Sequence, residues 1–177
     1  MTDLNIRRNP APQQRYEVTL EIKDAPGPFE VVEGFMQYEV RDDQCVPKDP
    51  VSGAHPQRPK QTIPAQYERV TENTYRATIY TDLLLDDDYF GLGLCPWKLV
   101  ATRAALRAKA AYETRFVTDL SLDELKRQQR KFLYFPKSEY STPNLGYPAF
   151  GIGPEMLRPE HSSAKFTITM TARWETP

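Results

Sequence analysis

Lys165-Phe166-Thr167-Ile168-Thr169-Met170-Thr171-Ala172-Arg173-Trp174 alternates apolar and polar side chains without a slip through Phe166, Ile168, Met170, Ala172 and Trp174. Successive side chains of a β-strand point to opposite faces, so this run reads as a strand with one face buried and one solvated. The same pattern returns at 16–22 (Tyr-Glu-Val-Thr-Leu-Glu-Ile), which stops at the turn signature Asp24-Ala25-Pro26-Gly27-Pro28. A weaker alternation follows at 35–40, and the two are expected to form one antiparallel pair. Residues 66–70 and 75–80 read as a hairpin around Thr71-Glu72-Asn73-Thr74. At 97–107 the alternation of Trp97, Leu99 and Ala101 competes with a run of helix formers. The strand reading is preferred because β segments flank it, with 112–117 as its partner.

One helix is expected over 122–131. Ser121 can cap it, Glu124 occupies the third helical position, and Lys126, Arg127, Arg130 and Lys131 complement the dipole toward its end. Two long irregular loops complete the outline: 41–64, with five prolines, and 136–163. Sixteen prolines against eight glycines disfavour a helical bundle. The expected fold is mainly β, an antiparallel β-sandwich of immunoglobulin-like kind with one short α-helix and long loops. The 177 residues suit a single sandwich domain over 15–177, preceded by a flexible polar arm at 1–14.

Charge excludes some partners. Lys and Arg number 23 against 24 Asp and Glu, so no global positive field favours nucleic acid or an anionic membrane. Apolar runs reach about half a dozen residues, far below the ~20 of a membrane-spanning helix. Met1 to Arg8 lacks the apolar stretch of a signal peptide.

The residues offer little for catalysis. His55 and His161 are the two histidines, both in expected loops, and neither Ser52 nor Ser162 lies in a Gly-x-Ser-x-Gly elbow. Cys45 beside His55 leaves a thiolate dyad open, while a Cys45–Cys95 disulfide is the favoured alternative in an exported protein. Asp86-Asp87-Asp88 lacks the alternating spacing of a calcium loop. Gly91-Leu92-Gly93 and Gly151-Ile152-Gly153 are each half a nucleotide fingerprint, and two His with two Cys fit no zinc spacing. No catalytic, metal or cofactor residue is therefore assigned. Acids beside aromatics on a loop suit a protein interface, which makes Asp86, Asp87, Asp88, Tyr89 and Phe90 the candidate partner contacts.

Tyr75-Arg76-Ala77-Thr78-Ile79-Tyr80-Thr81-Asp82-Leu83 and Asp87-Asp88-Tyr89-Phe90-Gly91-Leu92-Gly93-Leu94-Cys95-Pro96-Trp97 resemble stretches of small bacterial exported proteins. Ala25-Pro26-Gly27-Pro28-Phe29, Cys45-Val46-Pro47 and Tyr134-Phe135-Pro136-Lys137-Ser138 extend the likeness over 16–140. The chain is thereby similar to the periplasmic immunity lipoproteins that neutralise type VI secretion phospholipase effectors. The resemblance implies a non-catalytic periplasmic inhibitor that binds and blocks a lipase-type toxin. It also implies membrane contact only through a lipid anchor on a preceding segment, whereas this sequence starts at Met1. Cys45 and Cys95 suit the oxidising compartment so implied. The alternative expectation is a small-ligand carrier or accessory domain of an envelope assembly, with a pocket under the loop 136–154.

Overall fold

The computed structural model describes residues 5–161 and 164–177, with the backbone alone at 161. Ten strands and one helix follow one another: β1 (Arg15–Lys23), β2 (Val31–Val40), β3 (Lys60–Ala65), β4 (Glu68–Thr71), β5 (Thr74–Tyr80), β6 (Trp97–Arg107), β7 (Arg115–Ser121), α1 (Leu122–Lys126), β8 (Arg130–Pro136), β9 (Pro148–Phe150) and β10 (Lys165–Glu175). They form two five-stranded sheets packed face to face, ordered β4-β5-β1-β10-β8 and β3-β2-β6-β7-β9. All pairings are antiparallel except β7 with β9.

The expected sandwich is present, and its strand neighbours are those of an immunoglobulin-like domain. In such domains strands A, B, E and D share one sheet, and C, F and G with C′ the other. Here β1 to β7 stand in the places of B, C, C′, D, E, F and G. The place of A, antiparallel beside B, is taken by the last strand, β10.

Inward-facing alternate residues supply the core: Val18, Leu20, Ile79, Leu106, Leu120, Ile168 and Met170 are wholly buried. At one end four phenylalanines interlock. The Phe166 ring lies 5.1 Å from Phe116, 5.5 Å from Phe135 and 5.8 Å from Phe29.

Several expectations are corrected. The strands at 16–22 and 35–40 do not pair: β1 lies between β5 and β10, and β2 between β3 and β6. Their connection carries Pro26, Pro28 and the core plug Phe29, 3% exposed, so it crosses between sheets and makes no hairpin. The helix ends at Lys126, five residues long. Its N-terminus is as expected, with Glu124 N donating to Ser121 Oγ at 3.3 Å and Ser121 N to Glu124 Oε2 at 2.8 Å. Beyond it Gln128 has φ of 53°, which turns the chain, and Leu133 and Phe135 must then alternate inward along β8. The partner of β6 begins at Arg115 because the Glu113 carboxylate accepts from Lys109 N at 2.8 Å and Ala110 N at 3.0 Å, holding 109–113 as a turn. β9 lies inside the expected loop 136–163, and β3 lies inside the expected loop 41–64 except for its last residue, Ala65. Of the arm expected at 1–14, residues 1–4 lie outside the described residues, and 5–14 run beside 81–85, with Leu85 N donating to Arg7 O at 2.9 Å, Asn9 N to Leu83 O at 2.8 Å, and Asp82 accepting from Gln13 N and Gln14 N.

Candidate functional site

The loop between β5 and β6 carries the five expected contact residues at the end of the sandwich where β2 stops and β6 begins. Cys45, just past β2, is bonded to Cys95, just before β6, and both are buried. Bonding removes Cys45 as a thiolate nucleophile, so the dyad with the exposed His55 does not exist. The three acids fold the loop. Asp86 Oδ1 accepts from Trp97 N at 2.8 Å, Asp87 Oδ1 from Asp88 N at 2.9 Å and Asp88 Oδ1 from Leu92 N at 3.0 Å. Asp87 also pairs with Arg7, and its carbonyl accepts from Cys95 N at 2.9 Å. Tyr89 donates to Leu85 O at 2.6 Å and meets Trp97 edge to face at 6.3 Å, and Phe90 packs on the core. Asp86 and Asp88 are exposed, yet the most open apolar groups here are Leu92 and Leu94 at the loop tip.

A second site, opposite in the fold, lies where the sandwich's open side is strapped shut. After β9 pairs with β7, the chain crosses to the other sheet. There Ile152 N donates to Tyr134 O at 3.1 Å and Tyr134 N to Ile152 O at 2.9 Å. Gly151 makes the crossing possible: a Cβ there would stand 2.7 Å from both Leu133 Cβ and Phe135 Cζ. This close approach, not phosphate binding, accounts for Gly151-Ile152-Gly153.

Beneath the strap and the following loop opens a cleft of about 680 Å³, within the range of small-molecule sites. Its wall is largely apolar, with Phe135, Pro148, Phe150, Ile152 and Leu157, and Ser138, Glu139 and Lys165 add polar groups. Lys165 Nζ sits 5.0 Å from the Tyr134 ring centre. Asn144 donates to Thr114 Oγ1 at 2.8 Å while its buried Oδ1 has no partner among the described residues.

Large apolar side chains are exposed in the segments that line this cleft: Phe150, itself part of the lining, at 71%, and Leu145 at 84%, Tyr147 at 67% and Met156 at 62%, each next in sequence to a lining residue. The Tyr112 carbonyl accepts from Asn144 N and Gly146 N, and Tyr112 is 57% exposed. The residues forming this surface were not among the expected contacts. Their signal was a set of large apolar residues in a loop otherwise rich in Pro and Gly, where no periodicity assigns them to a core.

Among the described residues no three His, Cys, Asp or Glu are grouped to hold a metal ion. Ser162 and the His161 side chain lie outside the described residues. The perturbed titrations are structural. Burial raises the Tyr38 phenol, with Asp82 adding and Arg8 opposing, and its hydroxyl donates to Tyr80 O. Tyr140, near the cleft, is raised by burial and then by Glu113 and Glu30. Comparison with protein-family models, with curated proteins and with solved structures finds no match to the chain.

Proposed function

We propose that this protein is a non-catalytic binding protein, an immunity factor that neutralises a lipase-type antibacterial effector in the periplasm. The observation that carries the reading is an open apolar cleft lined by the exposed Phe150, with Leu145, Tyr147 and Met156 exposed on the same segments that form its wall. Exposed aromatic side chains such as Tyr147 and Phe150 are enriched at the energetic centre of protein interfaces. The effector class comes from the sequence resemblance. The buried Cys45–Cys95 bond supports an oxidising compartment. No helix among the described residues is long and apolar enough to cross a membrane. The loop of Asp86, Asp87, Asp88, Tyr89 and Phe90 supports a second contact, with its acids shaping the tip that presents Leu92 and Leu94.

Capture from lysate of the source cells, followed by assay of any recovered lipase on phospholipid vesicles, tests this. Near-stoichiometric recovery and complete inhibition are expected, with Tyr147→Ala plus Phe150→Ala weakening capture by at least about tenfold. Failure to inhibit any captured lipase rejects the reading.

The size and apolar wall of the cleft favour a second reading, a carrier of a small apolar ligand. A molecule retained in native mass spectrometry and lost from Ala149→Trp would establish it.

A further inference from the structure

The outer face of the β3-β2-β6-β7-β9 sheet is not uniformly polar. Phe35 on β2, Val117 on β7 and Phe150 on β9 face outward around a groove of about 320 Å³ whose floor includes Ala105. The groove is also lined by Arg103 and Arg115, and no carboxylate lines it.

Elsewhere on this face two arginines are paired, Arg107 with Glu33 at 3.2 Å and Arg58 with Glu39 at 3.7 Å. Asp119, the cross-strand neighbour of Arg103, faces Lys131 Nζ at 2.9 Å. Among the described residues neither Arg103 nor Arg115 has a hydrogen-bond or carboxylate partner for its side chain, and Arg115 Nε is buried without one. A guanidinium in that position is a strong donor fork awaiting a carboxylate.

We infer that this groove docks an acidic segment of a protein partner, with an apolar anchor between Phe35, Val117 and Phe150 and carboxylates on Arg103 and Arg115. The inference rests on the binding-protein reading, and Phe150 links the groove to the exposed surface around the cleft. It assigns the partner's charge: the recognition surface is basic with an apolar centre, and the acids of the 86–88 loop are engaged within their own chain.

The test is a ¹H–¹⁵N NMR titration of the full chain with two blocked peptides, Asp-Phe-Glu-Leu-Asp and its uncharged analogue Asn-Phe-Gln-Leu-Asn. Saturable shifts are expected at 101–105, 115–117 and 148–150 with the acidic peptide. About tenfold weaker binding is expected for the analogue and for Arg103→Glu. Phe150→Ala, at a 71% exposed site, should weaken both peptides without altering the melting temperature. Arg76→Glu, on the opposite sheet, should change nothing. Absence of shifts on this face, or equal affinity for the analogue, overturns the inference. So does a concentration-dependent dimer in sedimentation that Arg103→Glu dissolves, because the occupant is then a second copy. Peptide binding without any inhibited lipase leaves the groove standing and removes the immunity reading. An inhibited lipase with no peptide shifts does the reverse.

Discussion

Replacing both Cys45 and Cys95 with alanine is the sharpest perturbation of the fold. The bond joins residues 50 apart, and in the chain-entropy account a closed loop of that length destabilises the unfolded chain by about 4 kcal/mol. Both side chains are buried, so small vacated volumes add to the loss and do not offset it. For a chain of this size that loss corresponds to a fall in melting temperature of roughly 8–16 °C. Urea unfolding followed by near-ultraviolet circular dichroism, with and without reductant, reads it directly. The wild type in reductant should approach the double variant, and the variant itself should not respond to reductant. Native-state hydrogen exchange should show where the loss begins. Arg41 N, bonded to Pro96 O at 2.7 Å, and Cys95 N, bonded to Asp87 O, should lose protection before β1 or β10. A loss below about 1 kcal/mol refutes the reasoning, because it means the loops 41–59 and 81–96 are held by their other contacts or the unfolded chain keeps them together.

Phe166→Ala, at the centre of the phenylalanine cluster, should cost about 3–5 kcal/mol in urea unfolding, whereas Phe132→Ala, 38% exposed on β8, should stay below about 1 kcal/mol. Gly151→Val drives a side chain into Leu133 and Phe135. It should destabilise by more than about 2 kcal/mol and erase exchange protection at Tyr134 and Ile152. For Lys131, burial is the largest single influence and lowers its pKa, but the bonds and charges of Asp119 and Glu124 together outweigh it, so the net shift is upward from 10.5. A raised lysine stabilises the fold fully below its unfolded pKa, and that contribution disappears as pH rises through the folded value. Lys131→Met should therefore melt below the wild type at pH 7 to 9, with the gap closing above the ordinary lysine value, as thermal scans against pH will show.

The strands that bury one face were legible because alternation is a direct consequence of burial. β1, β5 and β10 show it most clearly, and all three are interior strands of one sheet, with an inner face that must be apolar and an outer face that need not be. The strands that alternation does not mark lie at the edges. β3 contains Pro64 and has a polar outer row, as an edge strand tolerates, and β9 is three residues long and begins with Pro148. β8 was hidden by the basic, helix-favouring stretch before it, where the turn at Gln128 is a left-handed conformation unusual for that residue type. The immunoglobulin-like neighbour pattern could be expected only in kind, since no local signal says that the last strand will stand beside the first. At the candidate contacts the difficulty was chemical. An acidic tripeptide followed by aromatics has the composition of an interface, but composition does not say that each carboxylate will cap a neighbouring amide.

That distinction bears on recognition more than on folding. A net charge of -1 tells nothing about which charges remain free, because pairing within the fold removes groups selectively. Glu17, Glu21, Glu33 and Glu39 all face arginines, Asp87 pairs with Arg7, and Asp82 and Glu113 hold backbone amides. Arg103 and Arg115 are left on an apolar groove where an exposed surface acid would have been easy to accommodate. Arg103 is exposed, and because exposed ion pairs contribute little to stability, leaving it without one costs the fold almost nothing. A guanidinium already positioned over an apolar floor retains its capacity for a partner's carboxylate, and that carboxylate becomes worth more once the groove is covered and water excluded.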